Sequence, residues 1–429
     1  MITYQENIGG IITILPDGRV EFLHNAVKDL LDKINLGQID KTSVNFDEYI
    51  ILNPFINLEE FHLSAPLIAF IETTNLCNLR CKHCYASSAY KRPNEIDTKG
   101  ILKLIDELDE MGVLQVFLSG GEVFAHPDAV ELIQHAMSKR FYTQVFTNGL
   151  LITEEKLKAI PAGCSFFISF DTASPERTIR GKMDFPKLRQ KFEWMKKYGH
   201  AFRTAISVHR YNIQDALEIF EWCVENDYPR PQWLETHPVG RALIHPDILL
   251  QPEQIEEVFE VYKACMETYT QSKEDIVDNN ISAKNKTYSL DTVKLCQRLE
   301  AATGTEKCGR SITYINSAGD VYPCSNCMSA ELFKAGNIRD KSFKEIWDTG
   351  FSEIRNIKFK DYNVCISCPV NKEDIWCQFR CPPLSYNNNG GNIKGCGATE
   401  YLKLFMLKSS AYWRDREKQG KKLVLKHAN

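Results

Sequence analysis

No apolar run in the 429-residue chain approaches the roughly 18–20 residues of a membrane-spanning helix, so no membrane partner is expected. Met1 opens a polar stretch without the charged-then-apolar order of a secretory signal, which predicts a cytoplasmic protein. Basic excess is also missing: 52 Lys and Arg face 56 Asp and Glu, for a net charge of -4. That balance argues against a nucleic-acid or anionic-surface binder. Low complexity is confined to "NNNGG" at 387–391, and no repeat is visible beyond an alternation of strands and helices. What remains, 43% hydrophobic and 25% charged residues, is enough for two or three globular domains.

Cysteine is the residue in excess. In a compartment that keeps thiols reduced, fifteen cysteines read as metal ligands before disulfides. Cys164, Cys223 and Cys265 are scattered, whereas the others form a triad at 77–84 and a dense set from Cys296 to Cys396.

Residues 10–23, "GIITILPDGRVEFL", read as two strands joined by a Pro-Asp-Gly turn. A short helix follows near 25–34, with Ala26, Leu30, Leu31 and Ile34 on one face, and 35–65 is irregular. From Leu67 the strands "LIAFIET", "LQVFL", "YTQVF", "SFFISF", "RTAISV" and "PQWLE" alternate with helical periods. One such helix starts after Asp97, another is opened by Pro127, and a third carries Phe185, Leu188, Phe192 and Met195. Strands this apolar are covered on both faces, which predicts a parallel sheet with helical crossovers. Six units fall short of a closed eight-stranded barrel, so an α/β fold with a partial (β/α)6 barrel or open sheet is expected. A long helix near 252–270 closes it. The expected domains are a small N-terminal α+β piece (1–65), the partial barrel (66–300) and a Cys-rich C-terminal domain (301–429).

"CNLRCKHCYA" places Cys77, Cys81 and Cys84 just after the first barrel strand, at the end where parallel α/β folds bind ligands. A structural zinc ion wants four ligands, and His83 sits awkwardly between two of the thiols. Three thiolates on one loop suit a cubane iron–sulfur cluster with one iron left open. Zinc or unligated thiols stay as the alternative.

The loop resembles the CxxxCxxC loop of the radical S-adenosylmethionine (SAM) enzymes, and the resemblance runs over residues 67–242. It implies that the open iron chelates SAM and that reductive cleavage releases a 5′-deoxyadenosyl radical. "SGGE" (Gly120, Gly121, Glu122) is similar to the motif that meets the methionine amino group. "FTNG" (Asn148) and "SFD" (Ser169, Asp171) are similar to segments that contact the ribose and methionine portions. Arg180, in "IRG", is similar to an arginine that reaches SAM's carboxylate. His83 takes the place of an aromatic residue that stacks near adenine, and "HPVGRA" (237–242) resembles a turn that passes it.

Eight thiols crowd the C-terminal region, and two four-thiolate sites account for them. The region, with "GNIRDKSFKEIWD" between its cysteine groups, is similar to the SPASM extension of radical SAM enzymes. That resemblance implies two auxiliary [4Fe-4S] clusters, three clusters in all. Cys308, Cys324 and Cys381 would hold the first, with Cys327 or Cys296 as its further ligand. Cys365, Cys368, Cys377 and Cys396 would hold the second. Eight residues separate Cys368 from Cys377 where the pattern has five, and two zinc sites are the competing reading.

The resemblance implies a radical SAM enzyme that abstracts hydrogen from a precursor peptide and leaves an oxidative cross-link. It would be fed by a reductant such as flavodoxin or ferredoxin, with the N-terminal piece as a degenerate leader-peptide recognition domain or a structural cap. Radical chemistry on a small molecule or tetrapyrrole precursor is the second reading, and a non-catalytic iron–sulfur electron-transfer or scaffold protein the third. Glu235 and His237, near the end of the sixth strand, are the candidates for a general base.

Overall fold

The computed structural model describes residues 4–7, 10–14, 20–50, 63–271, 307–373, 377 and 379–418. Near the N-terminus, strands β1 (Tyr4–Asn7), β2 (Gly10–Ile14) and β3 (Val20–Leu23) form an antiparallel sheet in that order. The turn expected at 16–18 lies outside the described residues. Helix α1 (Lys28–Asn35) buries Leu31 and Ile34 against Ile11, Leu23, Val27 and Phe46. Ala26 falls before the helix and is exposed, because the chain turns there as a short 3-10 segment.

The main body is a sheet of six parallel strands: β4 (Ile68–Glu72), β5 (Gln115–Ser119), β6 (Tyr142–Thr147), β7 (Ser165–Ser169), β8 (Ala201–Val208) and β9 (Gln232–Glu235). Between them run α2 (Thr98–Glu110), α3 (Ala129–Met137), α4 (Glu154–Ala159), α5 (Phe185–Lys197) and α6 (Ile213–Glu225), and α7 (Ile255–Gln271) follows β9. Strand parity sorts the side chains into two sets. Ile71, Val116, Leu118, Val145, Phe166, Ile168, Ile206 and Val208 pack into the core shared with the helices. Phe70, Phe117 and Phe146 point to the opposite, barrel-interior face.

Local chemistry explains the helices. Asp97 caps α2 by accepting from the Gly100 N–H, and Ile101, Leu104, Ile105 and Leu108 form its buried stripe. Each such side chain contributes roughly 1.5–3 kcal/mol on burial. Pro127 stands before Asp128, the N-cap of α3, and so outside the helix that it was expected to open.

The C-terminal region is not a separate layer. Strands β10 (Ile312–Ile315), β11 (Asp320–Tyr322) and β12 (Gly336–Asn337) extend the barrel sheet, giving the order β12-β11-β10-β4-β5-β6-β7-β8-β9. β10 lies parallel to β4 in the register Ile312↔Ile68 to Ile315↔Ile71. Trp347, fully buried on Phe343–Thr349, locks this region to residue 63 by donating its indole N–H to the Leu63 carbonyl at 2.7 Å. No helix among the described residues is long and apolar enough to cross a membrane.

Candidate functional site

Beyond Glu72 the chain leaves β4 as a long loop, residues 73–97, that carries Cys77, Cys81 and Cys84. Neighbouring segments grip its backbone from two sides. On one side, Gly121 and Glu122 donate their backbone N–H groups to the Thr74 and Leu76 carbonyls at 2.7 and 3.0 Å. A Cβ on Gly121 would stand 2.4 Å from the Leu76 carbonyl oxygen, and one on Gly120 would stand 2.5 Å from that of Thr74. The approach of these two backbones therefore demands the paired glycines. The buried Glu122 carboxylate accepts from the Thr147 hydroxyl at 2.6 Å and from the Asn148 and Phe124 N–H groups at 2.8 and 3.2 Å. Asn148 in turn donates to Asn78, inside the loop, at 2.8 Å. Glu122 and Asn148, expected as cofactor contacts, thus brace the ends of β5 and β6 against the triad.

The other side is held by the turn after β9. The Arg241 N–H donates to the Cys84 carbonyl at 3.0 Å, and its guanidinium donates to the carbonyls of Cys81 and Ser88 at 2.8 and 2.9 Å. Gly240 makes this approach possible: it has φ +55°, and a Cβ there would stand 2.3 Å from the Tyr85 carbonyl oxygen. Arg241 lies within the "HPVGRA" turn, and nothing local in sequence says which loop 160 positions away it will grip. We expect Gly240→Ala to strain the clamp by on the order of 1–3 kcal/mol and to lower the iron bound at the triad while sparing the C-terminal iron. Iron analysis of the variant checks this, and an unchanged iron content would count against the clamp.

Cys77 and Cys81 are buried and Cys84 half-buried, in a recess walled by Leu79, Leu150 and Met183. Burial pushes the Cys77 thiol up to about 11, and the Cys81 thiol moves in the same direction. Thiols in such a dry recess ionise readily only beside a cationic centre, so this donor set fits an iron cluster. His83 has Arg180, Asp171, His209 and Arg241 as neighbours, and loss of water pushes it down to about 3.

Asp171 and Arg180 neutralise each other. The guanidinium donates to both carboxylate oxygens at 2.5 and 2.9 Å, and Asp171 also accepts from the Ser207 N–H at 2.8 Å. Arg180, expected to reach a SAM carboxylate, is therefore already engaged in a buried pair whose backbone lies beside Cys81, 3.8 Å from its sulfur. Ser169 closes β7 and is half-buried.

The two base candidates differ in placement. Register pairs Glu235 with Val208, which faces the helices, and Leu234 with Ser207 on the interior side. Glu235 therefore points away from the barrel interior and shares its surroundings with Tyr262 and Tyr401. Dry surroundings push it up to about 7. The His237 ring meets Phe379 edge-on at 5.5 Å, and burial pushes it down to about 4.

The eight C-terminal thiols fall into two neighbourhoods. Cys308, Cys324, Cys327 and Cys381 are all buried, with the Cys324 and Cys327 sulfurs 3.6 Å apart and Cys308 in thiol contact with Cys324 and Cys381. Cys365, Cys368, Cys377 and Cys396 line a cavity of about 240 Å³ together with Phe379, Arg380 and Lys403. Among the described residues no three metal-binding side chains are placed to share one single ion. Cys296 lies outside the described residues.

Comparison with known proteins agrees with this geometry. The sequence matches the radical SAM superfamily over residues 71–223 and the SPASM iron–sulfur cluster-binding domain over 307–369. It is 25% identical to a PqqA peptide cyclase of Xanthomonas oryzae over 76% of this chain and 86% of that protein. An AdoMet-dependent heme synthase of Methanosarcina barkeri is 26% identical over 74% of this chain and 92% of that protein. In fold the chain is similar to Streptococcus suis SuiB bound to its precursor peptide SuiA, with a TM-score of 0.66, 16% identity and coverage of 94% and 98%.

Proposed function

The chain belongs to the radical SAM superfamily and carries a SPASM iron–sulfur domain, and from that premise we propose that it is a peptide maturase that leaves an oxidative cross-link on a precursor peptide. The observation that carries the radical chemistry is the three-thiol recess clamped at the mouth of an open barrel by Gly121, Glu122 and Arg241. Bound there, a [4Fe-4S] cluster and SAM supply a hydrogen-abstracting radical once a one-electron donor, such as flavodoxin or ferredoxin, delivers an electron. The chain's own part is to hold three thiols in a dry pocket, keep the loop rigid, and admit a substrate to the barrel interior.

A peptide is favoured by the similarity to a peptide cyclase and by an open sheet. β9 is an edge strand, so the barrel does not close and an extended chain can enter from the side. A chain of this fold also holds a precursor peptide in SuiB. The β1–β3 sheet would receive a leader segment as an added strand. The second reading, a tetrapyrrole or other small substrate, is favoured by the similarity to a heme synthase.

The two C-terminal thiol sets would each hold a further [4Fe-4S] cluster, so about twelve iron atoms per reconstituted chain are expected. Four iron and two zinc would remove the auxiliary clusters from the proposal. The deciding experiment is anaerobic incubation with SAM, a reductant and any short peptide found encoded beside the gene, read by mass. A peptide of unchanged mass, with SAM nonetheless cleaved, would turn the reading towards the small-molecule alternative.

A further inference from the structure

Inside the barrel, below the triad loop, the sheet presents a continuous wall of aromatic rings. Phe70 and Phe117 meet edge to face at 4.6 Å, and the tilted pairs Phe117–Phe146 and Phe146–Phe167 lie at 5.1 and 4.8 Å. β10 adds Tyr314, stacked 6.3 Å from Phe70, and the triad loop adds Tyr85, edge-on to Tyr314 at 6.2 Å. One strand face of each of β4, β5, β6 and β7 thus contributes a phenyl ring. Phe70, Phe146 and Phe167 are only half-buried, and Leu234, on the open β9 edge, is 37% exposed. Phe117 and Tyr314 are buried, so the accessible face of the wall is Phe70, Phe146 and Phe167.

The charged and hydroxyl groups beside the wall are already engaged. The Glu72 carboxylate accepts from Tyr314 and Ser317 at 3.2 and 3.1 Å and lies 3.7 Å from the Arg92 guanidinium. The Tyr85 and Ser119 hydroxyls pair at 3.2 Å. Arg203, beside Phe167 in the register, has an interaction of its own. A charged substrate group entering against Phe70 and Phe146 would lose water and meet phenyl faces, with Arg203 as the cation at the Phe167 end of the wall. An aromatic group would gain ring contacts worth about 0.5–1.5 kcal/mol beyond its buried area.

We infer that the barrel interior selects an aromatic side chain as the reacting residue of the substrate, with Phe70, Phe146 and Phe167 as its specificity wall. An aliphatic side chain would be second best and an acidic one, which the phenyl faces cannot solvate, last. This rests on the peptide reading and narrows it, since a substrate rich in carboxylates is what the wall disfavours.

The test is anaerobic equilibrium dialysis of radiolabelled N-acetyl-tyrosine amide, N-acetyl-leucine amide and N-acetyl-glutamate against the reconstituted full chain with SAM. Retention should fall in that order, with tyrosine amide held about tenfold or more over glutamate. Phe146→Asp should abolish tyrosine-amide retention, and the milder Phe167→Leu should weaken it. Iron content and melting curves report whether either variant still folds. Equal retention of the three probes, no retention of any, or indifference to both substitutions would overturn the inference. Formation of 5′-deoxyadenosine by the wild-type chain is measured separately. Its loss would strike the radical reading itself, whereas its presence with no aromatic preference would strike only the wall.

Discussion

Replacing Cys77, Cys81 and Cys84 together by alanine should abolish formation of 5′-deoxyadenosine and leave the fold and the C-terminal iron in place. The triad stands on a loop that is held mostly through its backbone. The Cys81 and Cys84 carbonyls accept from Arg241, and those of Thr74 and Leu76 from Gly121 and Glu122. Removing three sulfur atoms leaves those bonds intact, so the stability cost is confined to the small apolar set of Leu79, Leu150 and Met183. The effect on chemistry should be total, because no other thiol approaches the recess among the described residues. SAM cleavage by the triple variant at more than background would show that the triad is not the radical site.

The second large effect concerns the buried C-terminal set. Cys327 stands with Cys308, Cys324 and Cys381, so all four corners of a cluster there would be taken by protein sulfur. A closed site has no position for a substrate sulfur, and its role is then confined to electrons. The expected product is two hydrogens lighter than the substrate. Replacing Cys327 or Cys381 by alanine should lower that product about tenfold or more while SAM cleavage continues. Melting should also suffer, because Cys327 packs in the cluster of Ile68, Phe117 and Tyr314 on the barrel strands, and Cys381 in the main core with Phe379 and Leu384. The corresponding change at Cys368, in the half-buried set, should cost less stability. A product of unchanged mass would defeat the electron role, and equal melting of the two variants would defeat the packing argument.

How much of this was legible beforehand differs from element to element. The six barrel strands were readable because each is a short apolar run between helical periods, and burial on both faces leaves that mark in composition. The triad was readable because its spacing is local. The place of β10 beside β4 was not readable: parallel pairing between Ile312 and Ile68 joins residues far apart in sequence, and no local pattern encodes it. The boundary drawn near residue 300 therefore hid a sheet that runs across it.

The chemistry divides in the same way. Which residue types are present, and at what spacing, was determined by the sequence alone: three thiols on one loop, eight more behind, paired glycines after the second strand. What each group touches was decided by tertiary structure. Arg180 and Asp171 each looked available to a ligand, yet the turn after β7 folds one onto the other. Glu235 looked like a base near the strand ends, yet the register with Val208 turns it outward. Arg241, inside the "HPVGRA" turn, carried no local sign of its partner and became the clamp on the triad loop. A side chain's partner depends on register and on loops that meet only after the sheet has formed, so short-range spacing reports the donor and the folded chain alone assigns its acceptor.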